Sequence, residues 1–167
     1  MKVADICTRE VVATSRDTSL QQAAVLMREN HVGSLVVIAD ASQGSQVVGI
    51  ITDRDLVIEA LARGLDARDT EVGRFANGKL AAVSADASLD DALVIMKKRG
   101  VRRLLVAGDA GELFGIVSMD DLLDAMAHEM SEMAHAVRGG LDREAAERAP
   151  LPAARPIAAR IPEFSLE

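Results

Sequence analysis

Gly49-Ile50-Ile51-Thr52-Asp53-Arg54-Asp55-Leu56 returns later in the chain as Gly115-Ile116-Val117-Ser118-Met119-Asp120-Asp121-Leu122, and this recurrence decides the fold. In each copy a glycine and two apolar residues lead to a hydroxyl side chain, with an aspartate three positions beyond it. The first half reads as the end of a buried strand and the second as a helix start. Working outward, residues 3–41 pair with residues 72–110, and 14 of these 39 positions are identical. Chance does not give that, so one supersecondary unit is written twice. The segment Ser15-Arg16-Asp17-Thr18-Ser19-Leu20 returns as Ser84-Ala85-Asp86-Ala87-Ser88-Leu89.

Local patterns in the first copy predict its order of elements. Leu20, Ala23, Ala24 and Met27 keep helical spacing, with Ser19 and Gln22 forming a capping box. Residues 35–39 and 47–51 are short, mostly β-branched runs separated by a Ser/Gly-rich turn over 40–46, which reads as a hairpin. A strand over 11–14 precedes them, and a second helix runs from near Asp53 to a glycine stop at Gly64. The order is β-α-β-β-α, repeated from Leu80 to about Val137 with a shorter turn over 108–112. A three-stranded sheet with helices on one side leaves an apolar face bare, and the other copy is the natural cover. Two such units pack about a pseudo-twofold axis and leave two related clefts where they meet.

Composition limits the function classes. Nearly half of the 167 residues are apolar and about a quarter charged, as in a folded globular chain. A net charge of -7 gives no general reason to expect nucleic acid or an anionic membrane as partner. With no Trp or Tyr, and only Phe75, Phe114 and Phe164, aromatic platforms for stacking bases are scarce. Cys7 is the only cysteine, which excludes an intrachain disulfide or a cysteine zinc cluster and suits a reducing cytoplasm. No apolar run approaches the roughly 18 residues of a membrane span. No nucleophile with its base is suggested, because His128 and His135 lie on the last helix and His31 at the end of the first. The chain reads as a binding module and not an enzyme.

The doubled Gly-apolar-apolar-Thr/Ser-x-x-Asp segment, the Asp-x-Ser-Leu helix starts, and the openings Val3-Ala4-Asp5-Ile6 and Val72-Gly73-Arg74-Phe75 resemble the CBS motif, named for cystathionine beta-synthase. The resemblance covers about residues 3–130. It implies an α/β (α+β) fold of two βαββα motifs about a pseudo-twofold axis, residues 1–68 and 69–138 together forming one module, with a tail over 139–167. It also implies clefts for an adenosine-containing ligand, such as AMP, ADP, ATP or S-adenosylmethionine, in a regulatory and not a cofactor role.

By that resemblance Asp55 and Asp121 face ribose, and Thr52 and Ser118 face ribose or phosphate. Thr14, Ser15, Val32, Gly33 and Leu35 stand opposite Ser118 and Asp121. Val83, Ser84, Val101 and Leu104 stand opposite Thr52 and Asp55. Adenine then lies between aliphatic side chains. Two readings of the Thr52/Asp55 and Ser118/Asp121 pairs stand side by side: capping boxes that satisfy free backbone N–H groups, or ligand contacts to which Gly49 and Gly115 give close approach. Arg102 and Arg103 break the repeat, standing where the first copy has Gly33 and Ser34. They are phosphate grips that make the clefts unequal, or a solvated basic turn.

Outside the repeat, Met119, Leu123, Met126, Met130, Met133 and Val137 alternate steps of four and three. Such a stripe suits a homodimer seam, although methionine also fills gaps in a core. From Gly139-Gly140 onward the Ala, Arg, Glu and Pro composition predicts a mobile tail, whose Arg155, Ile157, Ile161 and Phe164 are candidates for docking on an unidentified protein partner. The leading reading is a cytoplasmic regulatory module for an adenine nucleotide. The alternative is a ligand-free interaction module that docks on an enzyme or transporter.

Overall fold

The computed structural model describes residues 1–41, 44–76 and 80–148. The chain divides into two compact units, Met1–Met126 and Ala127–Glu167, and the first holds both copies of the repeat.

A short helix α1 (Val3–Ile6) opens the chain. In the first copy β1 (Ala13–Ser15) leads to helix α2 (Leu20–Glu29), then to the hairpin of β2 (Ser34–Ala41) and β3 (Gly44–Thr52), and α3 begins at Asp53–Asp55. β1 is parallel to β2, and β2 antiparallel to β3. The second copy opens on a single 3₁₀ turn, Val72–Arg74. It continues through β4 (Ala82–Ser84), α4 (Leu89–Arg99), β5 (Arg103–Ala107), β6 (Leu113–Ser118) and α5 (Met119–Glu147), with the same strand order and directions. The predicted β-α-β-β-α unit is therefore present twice. No helix among the described residues is long and apolar enough to cross a membrane.

Local chemistry explains the helix boundaries. Ser19 and Ser88 cap α2 and α4, each in a reciprocal box with the side chain three residues on, Gln22 and Asp91. The Ser88 hydroxyl donates to Asp91 at 2.6 Å and holds its carboxyl below the usual range. At the far ends Gly100 takes the left-handed conformation at φ 67°, and its counterpart His31 does so at φ 54°. A glycine tolerates this geometry and a histidine is strained by it.

Three segments depart from the expected boundaries. The hairpin strands continue pairing to Ala41 and Gly44, beyond the turn read over 40–46, of which residues 42–43 lie outside the described structure. The helix expected from Asp53 to Gly64 keeps α winding only through Asp55 and then widens to a π-helix over Leu56–Leu61, with Gly64 at φ 66° after it. Helix α5 passes through Gly139 and Gly140 to Glu147, where a tail was expected. Those glycines avoid positive φ, so they do not end the helix, and their cost of about 1 kcal/mol each is overridden by the good helix formers around them. The proline-bearing part of the tail, with Arg155, Ile157, Ile161 and Phe164, lies outside the described residues.

The two copies are joined by a reciprocal exchange of their opening segments. The Val3 and Ala4 N–H groups donate to the carbonyls of Ala87 and Ala85, each at 2.9 Å. Val72 and Gly73 donate to Thr18 and Arg16, at 2.9 and 2.8 Å. Each donor and acceptor in one set is the repeat counterpart of one in the other, which is what a pseudo-twofold axis requires. Packing follows the same exchange. Val72 and Ala76 sit in the first copy's core with Leu20, Ala23, Met27, Leu35, Val37 and Ile51. Val3 sits in the second copy's core with Val83, Ala92, Met96, Leu104, Val106 and Val117. Val36 and Leu105, which alternation turns to the opposite sheet face, are also buried, so the face that one copy would leave bare is covered.

Gly49 and Gly115 sit beside equivalent β-bulges, where Val48 and Phe114 are the extra residues. A Cβ on Gly49 would overlap the Ala76 carbonyl. We expect Gly49→Ala to lower unfolding free energy by about 2 kcal/mol through overpacking. His31→Gly is expected to raise it by about 1 kcal/mol by relieving the left-handed strain. Equilibrium urea denaturation measures both, and a neutral first variant or a destabilised second one contradicts the packing described.

Candidate functional site

Two cavities lie where the copies meet. The larger, about 540 Å³, is lined from the first copy by Gly49, Ile50, Thr52, Asp53, Arg54 and Asp55. From the second it takes Phe75, Leu80, Ala81, Gly100, Val101, Arg102 and Arg103. The smaller, about 200 Å³, takes Ile116, Ser118, Asp121 and Arg103 from the second copy and Thr8, Glu10, Val11, Val12, Val32, Gly33, Ser34 and Val36 from the first. Ile50, Thr52, Asp55, Leu80, Ala81, Val101, Arg102 and Arg103 correspond by repeat position to Ile116, Ser118, Asp121, Val11, Val12, Val32, Gly33 and Ser34. The cavities are thus pseudo-symmetric in their walls and unequal in their contents.

Of the residues singled out from sequence, Thr52, Asp55, Val101, Arg102 and Arg103 meet in the larger cavity, and Val32, Gly33, Ser118 and Asp121 in the smaller. The other six line neither. Leu35 and Leu104 are buried in the two cores, because alternation along β2 and β5 turns them away from the cavity-lining Ser34, Val36 and Arg103 beside them, and Val83 is buried in the second core. Thr14 is buried and donates to the Thr18 hydroxyl at 2.9 Å. Ser15 and Ser84 are exposed and accept from the N–H groups of Asp17 and Asp86 within their turns.

Several lining residues were missed. Val11-Val12 and Leu80-Ala81 stand just before β1 and β4, where the Val12 and Ala81 carbonyls each accept an N–H from the neighbouring strand at 3.0 Å. Their apolar character at equivalent positions was a usable signal. Phe75 came from a segment read only as a family opening, and it brings an aromatic ring to a wall expected to be aliphatic.

The capping reading of the Thr/Ser–Asp pairs is realised in full. The Thr52 N–H and hydroxyl donate to Asp55 Oδ2 at 2.9 and 2.7 Å, and the Asp55 N–H returns to Thr52 Oγ1 at 3.2 Å. Ser118 and Asp121 repeat this at 2.7, 2.7 and 3.2 Å. Both bonds that each carboxylate accepts fall on Oδ2. The other, Oδ1, has no partner among the described residues in either aspartate, while both side chains line a cavity. Capping and ligand contact therefore coexist on one carboxylate, which can still accept at Oδ1.

The close approach read at the glycines is made by the chain's own backbone. The carbonyls of Ala76 and Thr8 lie against Gly49 and Gly115, and Gly49 also lines the larger cavity. Thr8 and Ile116 exchange both backbone bonds, at 2.9 and 3.0 Å. Cys7 packs at the same place, and burial pushes its thiol up, which makes it a poor nucleophile.

Charge separates the cavities further. Arg54, Arg102 and Arg103 stand around the larger one with Asp53 and Asp55, and none of the three arginines is in an ion pair among the described residues. Arg103 also lines the smaller cavity, which has Glu10 and Asp121. Among the described residues no group of three or more His, Cys, Asp or Glu is placed to hold a metal ion.

The CBS domain pattern matches residues 3–61 and 72–128, well over half the chain and in the two copies seen structurally. The chain belongs to the CBS-domain family. An uncharacterised 17.7 kDa protein of Acidianus ambivalens is 36% identical over 142 residues, covering 83% of each chain. Hypoxic response protein 1 of Mycobacterium tuberculosis is 35% identical over 118 residues, which cover 71% of this chain and 80% of that one. A crystal structure of Hypoxic Response Protein I with two coordinated zinc ions superposes with TM-score 0.63 at 33% identity, over 74% of this chain and 98% of that chain. The CBS domain protein PAE2072 of Pyrobaculum aerophilum, solved in complex with AMP, shares the fold at TM-score 0.63 and 24% identity, over 72% and 89%.

The double use of Asp55 has a measurable consequence. Asp55→Ala removes the capping carboxylate and is expected to lower stability by about 1 kcal/mol, whereas Asp55→Asn keeps an acceptor and costs only a few tenths. Urea denaturation of the two variants checks this. Equal losses would show that the carboxylate is not acting as a cap.

Proposed function

We propose that this CBS pair is a non-enzymatic, cytoplasmic regulatory module that binds an adenine nucleotide in the larger cavity. The observation that carries the reading is the set of unpaired arginines, Arg54, Arg102 and Arg103, gathered with an open carboxylate oxygen on Asp55 in one cavity. Its volume falls within the range of roughly 300–1,000 Å³ usual for small-molecule sites. A carboxylate oxygen accepts hydrogen bonds from a ribose diol, and guanidinium groups grip phosphate in two-point contacts. Ile50, Leu80, Ala81 and Val101 offer an apolar slot for the base, with the Phe75 ring beside it. The AMP complex of the Pyrobaculum protein supports the choice of ligand class. The cationic environment favours AMP, ADP or ATP over S-adenosylmethionine, whose sulfonium carries the same sign as the arginines. A ligand that binds one arrangement of the copies better shifts the population towards it, which is the form a regulatory signal takes.

A second copy of the chain is the proposed protein partner. Leu123, Met126, Met130, Met133 and Val137 on α5 are all more than half exposed, yet keep the spacing of a helix-pairing seam. Such a seam favours a like helix over an unrelated enzyme or transporter. Light scattering at micromolar concentration is expected to give a dimer, and Met130→Lys with Met133→Lys a monomer. A monomeric parent chain would contradict the assignment.

Calorimetry and thermal shift with AMP, ATP and S-adenosylmethionine test the ligand. The nucleotides should bind and S-adenosylmethionine bind more weakly. Replacing both Arg102 and Arg103 with alanine should weaken AMP at least about tenfold, in keeping with the strength of charge-assisted bonds. Unchanged affinity in that variant, or no response to any of the three compounds, would favour the ligand-free alternative.

A further inference from the structure

Arg103 belongs to both cavities at once. Its counterpart by the repeat, Ser34, lines only the smaller one, so the exchange across the axis is one-sided. The side chain starts at the first residue of β5 and reaches across to the first copy, where a Cβ built on Gly33 would lie 3.7 Å from Arg103 Nη2 and 3.2 Å from Asp53 Oδ2. The guanidinium thus reaches ordinary van der Waals distance of the Gly33 position on the opposite copy. In the smaller cavity Arg103 is a group from the opposite copy with no equivalent in the larger, and there the volume falls from about 540 to about 200 Å³.

We infer that Arg103 is a single guanidinium shared between the two cavities, which restricts the chain to one nucleotide. The inference rests on the nucleotide reading above. Two physical arguments give the same result. While Arg103 reaches into the smaller cavity, that space is below the size usual for a small-molecule site. When a phosphate in the larger cavity draws Arg103 towards itself, the smaller cavity loses its only arginine among the lining residues and keeps the carboxylates of Glu10 and Asp121, which repel an anion. Its single positive charge, once neutralised by a phosphate in the larger cavity, no longer offsets Glu10 and Asp121 in the smaller. Filling of the larger cavity therefore disfavours filling of the smaller, whichever position Arg103 starts from.

The test is calorimetric titration of the full chain with AMP in three forms: the parent, Arg103→Ser, and Arg102→Ser. Serine is the residue the first copy carries at the Arg103 position, and circular dichroism confirms that each variant is folded. The parent is expected to bind one AMP per chain. Arg103→Ser should still bind one AMP, about tenfold more weakly, because the larger cavity loses a phosphate contact and the smaller keeps only the carboxylates of Glu10 and Asp121. Arg102→Ser alters the larger cavity alone, so it should also bind one AMP more weakly than the parent. Adenosine, which has no phosphate for the carboxylates to repel, supplies the deciding readout: it should reach two per chain in Arg103→Ser, where the smaller cavity opens, and one in the parent and in Arg102→Ser. Two AMP in the parent, one adenosine in Arg103→Ser, or two adenosine in Arg102→Ser would each overturn the sharing of Arg103 while leaving the nucleotide reading in place. No AMP bound to the parent would overturn that reading and the inference with it.

Discussion

The structure depends on the reciprocal exchange in which each copy's opening segment is held by the other, Val3 on Ala87 and Val72 on Thr18, both at 2.9 Å. Each such bond contributes about 1 kcal/mol net, and the apolar side chains carried with it add more. Val3 completes the second core, and Val72 with Ala76 completes the first. Neither copy has a full core by itself. The same exchange fixes where the copies meet, and so where the cavities form, since Phe75, Leu80 and Ala81 follow directly from the exchanged segment. Binding site and hydrophobic core are two results of one constraint.

Much of this was legible in the sequence because it was written twice. The strand and helix order, the capping boxes at Ser19 and Ser88, and the pseudo-twofold arrangement follow from periodicity and repetition alone. The exchange was not legible, because backbone hydrogen bonds to Thr18 and Ala87 leave no mark on side-chain identity. It also means that boundaries drawn at residues 68 and 69 separate segments of sequence and not of packing. Similarly, the π winding over Leu56–Leu61 and the passage of α5 through Gly139-Gly140 lie beyond what propensity decides, since both depend on how a helix continues and not on how it starts.

Of the candidate site residues, those read at the strand ends line the cavities and several of those within the strands do not. Thr52, Asp55, Ser118 and Asp121 were placed by their capping spacing, and Arg102 and Arg103 by their departure from the repeat. Leu35 and Leu104 sit in the cores because a neighbour in sequence along a strand faces the other way, and Val83 is taken up by the second core. The glycines also have a packing role, since the Ala76 and Thr8 carbonyls already occupy the space that a Cβ would need. What remains distinctive is the asymmetry. Two copies that share most of their wall positions differ at Gly33-Ser34 against Arg102-Arg103 and at Arg54 against Asp120, and these differences give one cavity its cations and let one arginine reach the other.

The most direct test of the account is a crystal structure of the full chain grown with saturating AMP. The account predicts density in the larger cavity, with the ribose hydroxyls at Asp55 Oδ1, the phosphate at Arg102 and Arg103, and the capping bonds from Thr52 to Asp55 Oδ2 intact. An empty larger cavity, or AMP seated only beside Ser118 and Asp121, would contradict it.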